Sequence, residues 1–69
     1  MRPFVVDVFH VNSKLEISKK RYEADTVEEA ESKLEVHKEL GDVTRIVISR
    51  RIPGKKKADV MKVWNRPAF

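Results

Sequence analysis

The first apolar run, Phe4-Val5-Val6-Asp7-Val8-Phe9-His10-Val11, is almost wholly β-branched or aromatic. That composition suits a pleated, half-buried strand. A second run, Leu15 to Ala24, follows after Asn12-Ser13-Lys14. Two such runs joined by a short Asn-Ser turn predict a β-hairpin, Asn tolerating the positive φ of a tight turn. The period then changes. Val27, Ala30, Leu34 and His37 or Lys38 recur three and four residues apart, which is the spacing of one helical face. Asp25 or Thr26 is the expected N-cap, each with a glutamate three residues later, Glu28 or Glu29, to close a capping box. Gly41 is the expected C′ stop. Val43 to Ile52 reads as a strand, Pro53-Gly54 as the turn after it, and Ala58 to Trp64 as the returning strand.

The order is therefore β-β-α-β-β. Two hairpins and one helix predict an α+β fold, with a four-stranded, largely antiparallel sheet and one helix packed on one face. Residues 1–66 make a single domain, and residues 67–69 are a tail that leaves the sheet at Pro67. Which strands are central is left open by the pattern.

Alternation along each strand predicts the two faces. Pairing Val11 with Lys14 groups Phe4, Val6, Val8, Leu15 and Ile17 under the helix. Pairing Ile52 with Asp59 adds Ile46, Ile48, Met61 and Val63 to them. The opposite face then carries Val5, Phe9, Val11, Tyr22, Val47 and Val60 with Trp64, beside Lys20, Arg45, Arg51 and Lys62. A face so apolar and free of a helix is the mark of an interface.

Charge sharpens this picture. The net charge is +4, but residues 23–42 hold eight acidic side chains against Lys33 and Lys38. Residues 43–69 hold eight basic side chains against Asp59 alone. An acidic middle and a basic C-terminal third predict two surfaces of opposite sign. Length sets a further bound: 69 residues form one domain at most, with a small core. With no cysteine, neither a disulfide nor a thiolate metal site can staple it. The first apolar stretch is broken by Asp7 and His10, which fits neither a signal segment nor a membrane span, so the expected setting is soluble and cytoplasmic.

The basic stretch Arg50 to Lys57 is the foremost candidate for chemistry. Lysine and arginine displace counterions from phosphates, which gives affinity without sequence preference. Arg45, Arg50, Arg51, Lys55, Lys56, Lys57 and Lys62 would hold a nucleic-acid backbone, and Trp64 would stack an unpaired base. The same lysines would also serve simply to keep a turn soluble and a sheet edge unpaired. The alternative function is a protein–protein adaptor or small inhibitor, of the kind found among phage and mobile-element accessory proteins. It would dimerise or bind a partner through Val5, Phe9, Val11, Tyr22, Val47 and Val60. A third reading stacks copies head to tail, acidic helix on basic hairpin.

Catalysis is not expected. His10 and His37 are too few for a metal centre, no glycine-rich phosphate loop fits a chain with two glycines, and no serine sits in a nucleophile elbow. No cofactor and no metal are expected. The stretch Tyr22 to Ile48, with Ala24-Asp25-Thr26 followed by Glu28-Glu29-Ala30 and a stop glycine, resembles the strand–capped helix–strand piece of the archaeal ribosomal LX-type proteins. The resemblance covers under half of the chain, implies RNA contact, and assigns no functional residue.

Overall fold

The computed structural model describes residues 2–67. Its elements are β1 (Phe4–Val11), β2 (Ile17–Ala24), α1 (Val27–Lys38), β3 (Val43–Arg50) and β4 (Asp59–Asn65). The four strands form one antiparallel sheet in the order β2-β1-β3-β4, with the helix on one face. This is the expected α+β fold. The two most apolar strands are central, buried on both faces. The lysine-rich β2 and the half-polar β4 form the edges. The link from β2 to β3 passes over β1, so the helix lies against β1, β2 and β3 and does not reach β4.

The core is small. Val6, Val8, Ala24, Ala30, Leu34, Val43, Ile46 and Ile48 form it, with Phe4, Tyr22 and Trp64 packed at its rim. The helix contributes only Ala30 and Leu34 as buried residues, one turn apart. Thr26 is the N-cap, its hydroxyl accepting from the Glu29 N–H at 3.2 Å. The Glu29 carboxylate turns back to accept from the Asp25 N–H at 3.0 Å, one residue before the cap.

The helix ends differently from the expectation on Gly41. Its C-cap is Glu39, and Gly54 is the positive-φ glycine among the described residues. Backbone carbonyls around the helix end accept instead from Arg66. Its guanidinium donates to Lys38 O (3.3 Å), to Leu40 O, and to Val43 O (2.7 Å) at the start of β3. The same group lies 5.3 Å from the Trp64 ring centroid. Arg66 thus ties the segment that follows β4 to the end of the helix.

Both hairpins take a register other than the one expected, and faces change as a result. In the first, Val11 pairs with Ile17 across a five-residue loop instead of with Lys14. Asn12 organises that loop: its Oδ1 accepts from the Lys14 and Glu16 N–H groups, both at 2.9 Å. The positive φ falls on Leu15 (63°), not on Asn12. The slip of three residues moves Tyr22 to the helix side, opposite Val6, and sends Ile17 to the open side. In the second hairpin, Arg50 pairs with Asp59 and Ser49 with Val60. A bulge at Met61 then restores Ile48 to Lys62 and Ile46 to Trp64. Val60 therefore stays on the open face as expected, Val63 joins it, and Lys62 and Trp64 turn to the helix side.

Candidate functional site

The open face is built from cross-strand rows. One runs Glu23–Val5–Ser49–Val60, the next Arg21–Asp7–Val47–Val63, and a third Lys19–Phe9–Arg45–Asn65. Its apolar members are less available than alternation alone implies. Val5 is 3% exposed and Val47 9%, while Phe9 and Val11 are half-buried. Two ion pairs of long side chains lie on the same face. Arg21 Nε donates to Asp7 Oδ1 at 2.9 Å, and Arg51 donates to Glu23 Oε1 at 3.2 Å. The hydrogen bond from Arg51 holds the Glu23 carboxyl below its ordinary pKa, and the Asp7 contact raises that of Arg21. Of the six residues expected at an apolar interface, Val60 is the exposed one, at 63%, and Tyr22 is on the other side of the sheet. Tyr22 instead packs on His37, ring centroids 4.8 Å apart, and the His37 Nδ1–H donates to Lys33 O.

The basic residues separate into three groups. Arg51, Lys55, Lys56 and Lys57 line one concavity of about 540 Å³ at the β3–β4 turn, joined by Arg2 from the N-terminal segment. Arg45 is at the far end of the open face, six residues along β3 from Arg51, a rise of roughly 20 Å. Its guanidinium sits 5.8 Å from the Phe9 ring centroid. Arg50, Lys62 and Trp64 belong to the opposite side, Trp64 half-buried against the core beneath Arg66. The expected continuous surface of seven cations and a stacking tryptophan is thus divided between two faces.

The concavity itself is well defined. Pro53 and Gly54, with φ of 80°, form a turn closed by the Lys55 N–H to Ile52 O bond at 3.1 Å. The Arg51 N–H donates to Pro3 O at 2.7 Å, and its side chain donates to Arg2 O at 3.0 Å, so the N-terminal segment forms the opposite wall. Pro3, Ile52, Pro53 and Ala58 supply apolar surface, and no acidic side chain lines the site. Glu23 and Asp25 approach Arg51 and Arg2 from outside it, at 3.2 and 3.7 Å. Among the described residues, Lys55, Lys56 and Lys57 make no ion pair. No family model, curated protein or solved structure matches the chain.

Sequence reasoning missed Arg2, which precedes the first strand and gains its place only through the Arg51–Pro3 contact. It also gave Arg66 no role. Residues 68–69 of the expected tail lie outside the described residues. His10 donates from Nδ1 to Asp42 Oδ2 at 3.0 Å. That bond lowers the Asp42 pKa. Among the described residues no helix is long and apolar enough to cross a membrane, and no cluster of side chains suits a metal ion.

Proposed function

We propose that this chain is a non-enzymatic module that binds the phosphodiester backbone of nucleic acid at the β3–β4 turn. The observation that carries the reading is the concavity in which Arg2, Arg51, Lys55, Lys56 and Lys57 converge with no acidic side chain among its walls. Five cations around one concavity favour a polyanion, because they displace the counterions condensed on its phosphates. Arg51 is already held by Glu23 and Arg2 O, so it serves as a fixed donor, while the three lysines are the free charges. Trp64 takes no part, because it packs on the helix side of the sheet. The recognition is accordingly of phosphates, not of stacked bases, and carries little sequence preference. A cysteine-free chain fits a cytoplasmic setting.

The test is fluorescence anisotropy with labelled mixed-sequence RNA and DNA, single and double stranded. Replacing Lys55, Lys56 and Lys57 together by Glu is expected to abolish binding, while Lys62→Glu, on the other face, leaves it near wild type. Equal loss in both variants would point to a diffuse charge effect and remove the concavity from the account.

A further inference from the structure

The strand β4 is an open edge with a single exposed lysine, Lys62, along it. In an antiparallel ladder alternate residues turn their backbone groups toward one neighbour or the other. The Arg66 N–H donates to Thr44 O at 2.9 Å, and Arg45 faces Asn65. Asn65 and, two residues before it, Val63 therefore direct their N–H and C=O groups away from β3. Edges are normally protected by lysines, prolines, bulges or a covering helix. The other edge, β2, has Lys19, Lys20 and Arg21 exposed along its middle. On β4 the bulge at Met61 protects only the first half, and the helix does not reach this strand. Val60, Met61 and Val63 are 63%, 46% and 41% exposed there.

The sequence of the regular half is self-complementary. With two copies of β4 antiparallel and centred on Val63, each Val63 faces the other on the open side, and the pair exchanges two backbone hydrogen bonds. Lys62 then stands opposite Trp64 of the second copy on the helix side, twice over, a cation beside an aromatic ring. Pairing β4 with β2 of another copy would instead set Lys62 and Arg66 against Lys19, Lys20 and Arg21, so an open chain of copies is disfavoured and the two-fold arrangement closes. We propose that β4 pairs with β4 of a second copy of this chain, antiparallel about a two-fold axis at Val63, to make an eight-stranded sheet. This moves the apolar interface from the sheet face to the sheet edge, and it does not depend on nucleic-acid binding. Each copy carries a net charge of +4, so salt strengthens the dimer by screening repulsion, whereas it weakens phosphate binding.

The experiment is sedimentation velocity of the whole chain across concentration, at low and high salt. Wild type is expected to show a monomer–dimer equilibrium that moves toward dimer as salt rises. Val63→Lys and Val63→Glu each place like charges at the axis and are expected to be monomeric alone, and mixing the two variants restores the dimer. Thermal melting of each variant shows that it is folded, and the mixture retains its meaning even where one variant is less stable. A wild type that stays monomeric up to millimolar concentration overturns the proposal. A Val63→Lys variant that dimerises like wild type, or a mixture that remains monomeric, overturns the register.

Discussion

Replacing Arg66 by Ala removes one side chain that reaches three backbone carbonyls around the helix end. Its guanidinium donates to Lys38 O, Leu40 O and Val43 O and lies over Trp64. Hydrogen bonds from a charged donor contribute about 1.5–3 kcal/mol each, but bonds from a single group are not additive. A cation at a helix C-terminus adds about 0.3–1 kcal/mol, and a cation–ring contact about 0.5–1 kcal/mol. A net loss of roughly 2–4 kcal/mol is a reasonable total for a half-buried site. A chain of this length has a total stability of only about 3–10 kcal/mol. At about 4–8 °C per kcal/mol, the midpoint should fall on the order of 10–25 °C. Arg66→Lys keeps the charge but not the fork, and should lose about half as much. Thermal melting followed by far-UV circular dichroism, with urea titration for the free energy, measures both. A loss under about 0.5 kcal/mol for Arg66→Ala, the usual range of surface changes, would refute the idea that the C-terminal segment holds the helix end.

Other outcomes follow from particular contacts. Leu15 is 81% exposed and holds φ at 63°, a conformation costing an L-residue about 1–2 kcal/mol, so Leu15→Gly should raise stability by roughly 0.5–1 kcal/mol after the entropy of the unfolded glycine is counted. A lower melting midpoint for that variant would show that the loop is not strained. Thr26→Ala should cost about 1 kcal/mol in urea unfolding, because it removes the hydroxyl that caps Glu29 N–H. The Glu23 and Asp42 carboxyls are held below their ordinary pKa values by Arg51 and His10. Their contribution is therefore present above the ordinary carboxylate pKa and lost as pH falls through the lowered values. Glu23→Gln with Asp42→Asn should flatten the acid limb of the stability–pH curve, and an unchanged limb would discount both contacts.

The sequence carried the elements well and the faces poorly, for a physical reason. Capping, helical period and β-branched runs are local, and they marked β1 and the helix start correctly. Register depends on a few turn atoms, and a slip of one or three residues reverses a face. Asn12 could have been read as an organiser of a longer loop, since its side chain accepts from two residues further on. Nothing local announces the bulge at Met61, which sends Trp64 and Lys62 to the helix side. The strand order, by contrast, was readable in retrospect. Ile46 to Ile48 is an unbroken apolar run, as a central strand should carry, while Ser18 to Arg21 is wholly polar, as suits an edge. The candidate site was legible where it was contiguous, in Arg51 to Lys57, and illegible where it required the approach of Arg2 across the sheet end.

The most direct test of the phosphate-binding reading is the salt dependence of affinity for a short mixed-sequence duplex and for a single strand. Three free lysines and Arg2, each neutralising about one phosphate, give a slope of log K against log salt near −3 to −4 for duplex and about −2 to −3 for single strand. The slope should shrink to about −1, the share left to Arg2, when Lys55, Lys56 and Lys57 are replaced by Ala. Binding with no salt dependence, or no binding even at low salt, would contradict the account.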